Sequence, residues 1–306
     1  MDGLLSLLGD EIEDPDEECF LLVSNKPDNR DLGFVDRSQS TVSVSVNSHD
    51  FLIHQSPSLL TSSRPAGTTG AVLWKVTPLL ASWLTHPANE FTKSIINSAS
   101  TVVELGAGIS GVLALALAPF VRSYIATDQE YCLKLLRKNI LENSDSHALE
   151  TPASGSSKGR SSSSGKKSKR STEPQKSNVT VLPLDWQLTQ VSSIPELKDK
   201  TIDLVIAADC IYNESLVRPL VDTFVDLSNL NRNDEGRQDE TSAKLVMVAQ
   251  ELRSPDVLEA FMTAFCEKYR VWRLPDRLFD GCGDGGHALK SGGGYVVHLG
   301  VLKDSV

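Results

Sequence analysis

Acidic side chains stand at the ends of three apolar runs in this chain. Glu104 follows Thr101-Val102-Val103, Asp128 closes Ser123-Tyr124-Ile125-Ala126-Thr127, and Asp209 closes Ile202-Asp203-Leu204-Val205-Ile206-Ala207-Ala208, with Tyr212 three residues further on. A carboxylate at a strand end can accept from ribose hydroxyls, hold an ammonium, or simply cap the next helix. Any one of them is commonplace. Four successive strand ends offering Glu104, Asp128, Trp186, and Asp209 with Tyr212 mark a single ligand edge, because open α/β sheets bind beyond the carboxyl ends of their strands.

Glu104 leads into Leu105-Gly106-Ala107-Gly108-Ile109-Ser110-Gly111, and a small-residue apolar stretch follows from Val112 to Ala118. This is a buried strand, a tight turn and a helix N-terminus, the first half of a nucleotide-type α/β unit. Gly106 is expected to make the turn, Gly108 to admit a ligand to the main chain, and Gly111 to allow close helix–strand packing. Glycines at this spacing also occur in plain strand–helix turns, so the acids decide the ligand. A loop built for pyrophosphate gains from positive potential, and a carboxylate beside it opposes that. S-adenosylmethionine carries an ammonium and a sulfonium and no phosphate, so Glu104 favours it over a dinucleotide. Asp128, 22 residues after Gly106, is placed for its ribose.

The elements that must position these residues alternate along the chain. Val42-Ser43-Val44-Ser45-Val46, the turn residues 47–50 and Phe51 to Gln55 predict a β-hairpin, with His54 facing solvent. Trp74 follows Thr68-Thr69-Gly70 and suits either the core or a lid over a cofactor. Helical spacing covers Thr77–Trp83, Tyr131–Glu142, Glu214–Leu227 and the stretch after Pro255. Strands are expected at 178–183, 202–208, 244–249, 271–272 and 295–301 beside the first two, and a polar loop over 229–240. The expectation is therefore an α/β, Rossmann-like fold with a seven-stranded, mostly parallel sheet and an N-terminal β-hairpin. The glycines between 281 and 294 are expected to form a flexible hairpin connection, since no helix N-terminus follows to make a phosphate cradle.

A chain of 306 residues can bury one large core with appendages. The five cysteines show no Cys-x-x-Cys spacing, so neither a zinc site nor a disulfide framework is implied. No window has the apolar length of a membrane span, and the acidic start is wrong for a signal peptide, so a soluble intracellular protein is expected. Residues 1–20 hold eight acids and no base. Residues 1–40 are read as an acidic tail, although Leu4, Leu5, Leu7 and Leu8 also admit a docking helix. Asn143 to Ser177 is Ser/Lys-rich with almost no apolar residue, and reads as a disordered insertion within one domain over 41–306. Its stretch 155–176, seven bases against one acid, holds +6 of a chain charge of −10 and leaves −16 on the remainder. Such an acidic body repels nucleic-acid phosphates and attracts basic polypeptides. Lys166-Lys167-Ser168-Lys169-Arg170 suits a nuclear-import or ribosomal-RNA patch, or a solvated spacer.

The ordering Gly70…Trp74, Val103 to Gly108, Asp128, Asp185-Trp186 and Ala208-Asp209-Cys210-Ile211-Tyr212 resembles the seven-β-strand protein-lysine methyltransferases of the methyltransferase-21-like group. Gly106–Gly111 and Glu251-Leu252-Arg253-Ser254 are similar to the fungal ribosomal lysine methyltransferases within it. The resemblance covers roughly 40 to 302 without the insertion, and Asp-x-x-Tyr at 209–212 is its most specific part. It implies that Trp74, Gly106, Ala107, Gly108, Asp128, Trp186 and Ala208 hold S-adenosylmethionine, beside the Glu104 read from the strand end above, and that Asp209 and Tyr212 line a lysine channel. It further implies a basic protein substrate, a lysine on a large-subunit ribosomal protein of the L1 type, and no direct nucleic-acid substrate.

The chemistry agrees with that implication. A free lysine titrates near ~10.4, so presenting it neutral near pH 7 costs on the order of 4 kcal/mol. The site must align nitrogen, methyl and sulfur and help to shed one proton, and no metal is needed. A nucleic-acid or glutamine methyltransferase is expected to carry Asn/Asp-Pro-Pro-aromatic after the fourth strand, where Cys210 and Ile211 stand instead. A small-molecule methyltransferase and a non-catalytic ribosome-docking protein remain open, although intact Asp209 and Tyr212 lean against the latter. A monomer in the cytoplasm, with a nuclear pool, is the expected state.

Overall fold

Runs that are apolar on both sides must be covered on both faces, and these runs form the parallel body of one sheet. The computed structural model describes residues 2–27, 32–60, 68–147, 177–198, 200–230 and 245–303. Its strands are β1 (Thr41–Val46), β2 (His49–His54), β3 (Thr101–Leu105), β4 (Ser123–Asp128), β5 (Val179–Pro183), β6 (Leu204–Ala208), β7 (Leu245–Glu251), β8 (Tyr269–Arg273) and β9 (Tyr295–Leu302). Its helices are α1 (Asp2–Leu8), α2 (Pro15–Ser24), α3 (Pro57–Leu60), α4 (Val76–Leu84), α5 (Glu90–Ile95), α6 (Val112–Leu117), α7 (Glu130–His147), α8 (Glu214–Asn229), α9 (Pro255–Lys268) and α10 (Gly283–Ala288).

The last seven strands lie in the order β5-β4-β3-β6-β7-β9-β8. Only β9 runs antiparallel to its neighbours. The Rossmann-like, mostly parallel sheet expected from the sequence is the observed one. From β3 the chain steps outward to β4 and β5, then returns to place β6 on the other side of β3. Strand order therefore reverses between β3 and β6, both buried at every residue, and a crevice opens there. One sheet face packs against α4, α6 and α7, the other against α8 and α9. Among the described residues no helix is long and apolar enough to cross a membrane.

The acidic start is not a loose tail where it is described. Of the two readings the sequence left open, the docked helix is the one observed. Leu8 is buried, and α2 buries Cys19 and Leu22 against the sheet side that carries α9. Asp14 caps α2 by accepting from the Asp16 and Glu17 amides. Glu18 faces inward: His298 Nε2 on β9 lies 3.0 Å from its Oε1, and the Arg273 guanidinium 3.5 Å from its Oε2. Burial pushes its pKa up, but the hydrogen bond and electrostatic influence of His298, with the Arg273 guanidinium, outweigh that and hold it below the ordinary range.

The hairpin forms as expected, β1 pairing β2 through a two-residue turn in which Asn47 has φ +53°. On the free side of β2, Leu52 exchanges two hydrogen bonds with the Asn143 amide (2.9 and 3.1 Å). His54 does the same with Asn139, at 2.9 Å in both directions. His54 is not simply solvent-facing, since its Nε2 also lies 2.7 Å from Glu142 Oε2. These contacts carry α7 through His147, so Asn143 is a buried packing residue, not the first residue of the Ser/Lys insertion. The rest of that insertion from 148 to 176, with Lys166 to Arg170, lies outside the described residues, as do 231–240 of the polar loop.

The glycine-rich connection between β8 and β9 is a second departure. It contains α10, which packs on α4. A Cβ on Gly285 would stand 2.7 Å from Ser82 Cβ and 2.9 Å from the Leu79 carbonyl oxygen. Gly285 therefore serves helix-to-helix contact, a use that composition alone does not distinguish from flexibility.

Candidate active site

At the carboxyl ends of β3, β4 and β6 an open cleft of about 760 Å³ is lined by Gly106, Ala107, Gly108, Asp128, Ala208, Asp209 and Tyr212, together with Trp74 and Trp186. Nine of the ten residues singled out in the sequence thus meet in one place. Gly106 turns with φ +69°, and a Cβ there would lie 2.5 Å from Cys210 Sγ and 3.3 Å from the Trp186 ring. The Cys210 thiol is buried under this turn and donates to the Leu105 carbonyl at 3.2 Å. Gly106, Cys210 and Trp186 therefore form one close-packed floor at the switch point. Gly111 (φ +65°) faces Ile140 and Leu136 of α7, so its small size serves packing on a neighbouring helix, not the helix–strand contact expected.

Asp128 binds the glycine loop directly. The Gly108 amide donates to Oδ2 at 2.7 Å and the Gln129 amide to Oδ1 at 2.7 Å. Burial raises its pKa, and the two amides with the Cys132 thiol oppose the rise. Three donors leave the carboxylate one further lone-pair site for a ligand hydroxyl.

Glu104 is the exception. It does not line the cleft, because side chains alternate along β3 and Glu104 shares the face of Val102, the face that α4 and α6 cover. Its carboxyl is 2 % exposed and accepts from the Tyr124 hydroxyl at 2.8 Å. Burial, only partly offset by that bond and reinforced by Asp128, pushes its pKa up to about 7. The expected ligand acid is a core residue.

The far end of the cleft belongs to the 209–212 turn. Asp209 has φ +59°, its amide donates to the Ala249 carbonyl at 2.8 Å, and its side chain is 1 % exposed. Both its oxygens accept from Arg253, Oδ1 from Nη1 at 2.6 Å and Oδ2 from Nη2 at 2.7 Å. Arg253 Nη2 also donates to Glu251 Oε2 at 2.8 Å, so two carboxylates share one guanidinium and the group keeps a net charge of −1. Asp209 is thus already paired, and does not wait as an open counterion for an arriving ammonium. Tyr212 is 38 % exposed. Burial raises its pKa while a hydrogen bond with Thr69 opposes this, so the hydroxyl stays protonated and can orient a ligand but not act as a phenolate.

Trp74 closes the roof. Its Nε1 donates to the Thr69 carbonyl at 2.9 Å, its ring meets Phe34 at 4.3 Å between centroids, and Arg253 lies over it at 4.9 Å. Of the two readings open for Trp74, the lid position is the one observed. Sequence reasoning missed Thr69, Tyr131 and Leu184 as lining residues. Leu184 had a signal, since it immediately follows β5, two residues ahead of Trp186.

Among the described lining residues the ionisable side chains are acids, Asp128, Asp185 and Asp209, with the cysteine and tyrosines, and none is Lys or Arg. Such walls oppose a polyphosphate and suit a ligand that carries positive charge.

Comparison with known proteins points the same way. A family model described as lysine methyltransferase matches residues 54–153 and 167–237. A protein of Vanderwaltozyma polyspora named ribosomal lysine N-methyltransferase 5 is 30 % identical over 335 aligned residues, covering 92 % of this chain and 97 % of that protein. Its namesake from Zygosaccharomyces rouxii is 30 % identical over 263 residues, 77 % of this chain and 76 % of that one. A Schizosaccharomyces pombe protein named diaminohydroxyphosphoribosylamino-pyrimidine deaminase is 29 % identical over 256 residues, which span 83 % of this chain but only 50 % of that protein.

Proposed function

The chain belongs to the lysine methyltransferase family, and from that premise we propose that it methylates a lysine of a ribosomal protein, of the large subunit and L1 type, with S-adenosylmethionine as donor. The observation that carries this reading is the cleft itself, whose described walls hold acids and no Lys or Arg, with the glycine loop at one end and Asp209 and Tyr212 at the other. When bound, the cofactor supplies an electrophilic methyl group on a sulfonium leaving group.

The residues present fit such a cofactor. Asp128 accepts from a ribose hydroxyl with the lone pair that the Gly108 and Gln129 amides and the Cys132 thiol leave. Leu184 and Trp186 offer an apolar wall and a ring to adenine, and the backbone of 106–108, Trp74 and Ala208 flank the remainder. Tyr212, exposed at the rim, meets the lysine and orients its nitrogen by ring and hydroxyl. The net charge of −1 on Asp209, Arg253 and Glu251 attracts the ammonium without a single bare carboxylate to trap it. Trp74 and Phe34 exclude water from the line of transfer. The acidic body favours a basic polypeptide, in keeping with a ribosomal protein.

The Cys-x-x-Cys pair of a zinc deaminase does not occur in this sequence, so the match to the deaminase-named protein brings no deaminase site with it. The deciding experiment incubates the protein with methyl-labelled S-adenosylmethionine and purified large-subunit ribosomal proteins, then maps the label by mass spectrometry. Label on a lysine is expected. Label confined to small molecules or to RNA would overturn the proposal.

A further inference from the structure

Asp209 and Asn47 are the only non-glycine residues with positive φ among the described residues. A hairpin turn explains Asn47. Asp209 sits instead at the end of the most apolar strand, where a left-handed backbone costs on the order of 1 kcal/mol or more and persists only if its surroundings impose it. Asp209 is held there by its amide bond to the Ala249 carbonyl, by the Glu251 amide at 3.4 Å from its Oδ1, and most extensively by Arg253. The guanidinium grips both carboxylate oxygens of Asp209, and its other contacts hold the guanidinium in turn. Nη2 reaches Glu251 Oε2, Nε reaches the Leu32 carbonyl at 3.3 Å, and the Trp74 ring lies beneath it. The Arg253 carbonyl is itself tied down, accepting from Lys26 Nζ at 3.1 Å.

Two paths lead from Arg253 to the cleft wall. One runs through Asp209 and its turn to Tyr212, which lines the cleft together with Thr69. The other runs through Trp74, whose Nε1 bonds Thr69. Arg253 does not line the cleft, whereas Asp209, Tyr212, Thr69 and Trp74 all do. We propose that Arg253 is a positioning residue for methyl transfer: by holding both oxygens of Asp209 it fixes the left-handed turn that presents Tyr212 to the substrate nitrogen. The inference rests on the reading of this cleft as the methyl-transfer site. A planar fork matches a carboxylate as no ammonium can, so lysine is an incomplete substitute at 253.

The test is a double-mutant cycle on the full chain, with Arg253→Gln, Arg253→Lys, Asp209→Asn and the Gln/Asn double variant. Initial rates of methyl transfer, cofactor affinity by calorimetry and melting temperature are read for each. Arg253→Gln should lower kcat by at least about thirtyfold while cofactor affinity moves less than about threefold, and Arg253→Lys should recover part of the loss. In the Asp209→Asn background, Arg253→Gln should cost less than about threefold further, because its route of action is already gone. Full kcat in Arg253→Gln, or losses that simply multiply in the double variant, would overturn the proposal. Should Arg253→Gln fail to fold, the same cycle run with Arg253→Lys decides it by the same criterion. If Asp209→Asn itself keeps full activity, the assignment of the cleft fails; if it is impaired and Arg253→Gln is not, only the role of Arg253 fails.

Discussion

The Gly108 amide donates to Asp128 Oδ2 at 2.7 Å, so the glycine loop after β3 and the acid that ends β4 form one rigid unit. A ligand that meets one of them meets the other in fixed relation. Asp128→Ala should therefore weaken S-adenosylmethionine binding by about 1–3 kcal/mol, through a lost ribose bond and a loosened loop. Calorimetry reads this directly. Unchanged affinity in a folded variant would remove Asp128 from the binding site, and binding of NADH in place of S-adenosylmethionine would overturn the cofactor assignment.

Asp209→Asn tolerates the positive φ, since asparagine favours it, but replaces two charge-assisted bonds to Arg253 with at most one neutral acceptor. The expected loss of methyl transfer is at least about a hundredfold, or roughly 2.7 kcal/mol in the barrier, with cofactor binding nearly intact. Tyr212→Phe then separates ring from hydroxyl. Retained activity points to the ring, and lost activity to the hydroxyl.

Glu104 predicts a pH effect of unusual sign. Its carboxyl is buried and its pKa raised from 4.5 to about 7, so the folded state holds this proton more tightly than the unfolded chain does. Ionising it therefore costs stability as pH climbs between those values, on the order of 3 kcal/mol by pH 8. Glu104→Gln keeps an acceptor for the Tyr124 hydroxyl and removes the ionisation. Thermal melts should coincide with the parent near pH 4 and lie above it at pH 8. An offset independent of pH would show that Glu104 does not titrate in this window.

The Ser/Lys insertion is expected to be exchangeable without cost to the fold. Its composition offers almost no apolar side chain to bury, while Asn178 on its far side is held by the Ala118 and Val121 carbonyls, both at 2.8 Å. Replacing 148–176 by a short Gly/Ser loop should leave the melting temperature nearly unchanged, and a large drop would mean that the tract packs on the domain. A replacement begun at Asn143 should destabilise the protein, because it deletes the bonds to Leu52.

The strand ends were legible because apolar runs closed by Asp or followed by glycine carry their meaning locally. Asp128, Trp186 and Tyr212 needed only the rule that ligands gather at carboxyl ends. Glu104 obeyed the same rule in sequence and broke it in space, since one residue of alternation decides which sheet face a side chain takes. The partners of Asp209 and Glu18 were invisible for another reason. Arg253 lies 44 residues beyond Asp209, and His298 lies 280 beyond Glu18. Within a run of eight acids, nothing in the pattern marks Glu18 as the inward one. Cys210, read only as standing where a proline might be, proved to be the floor beneath Gly106.

The two asparagines of α7 along β2 have a consequence for how the molecule meets other molecules. A bare strand margin offers alternating donors and acceptors that any passing extended chain can join, the usual route to runaway self-association. Here Asn139 and Asn143, one helical turn apart, present peptide-like amides at the spacing of alternate strand residues and occupy the places of a third strand. The helix thus counterfeits a β-partner, and Leu52 and His54 on that margin have no backbone groups left to lend.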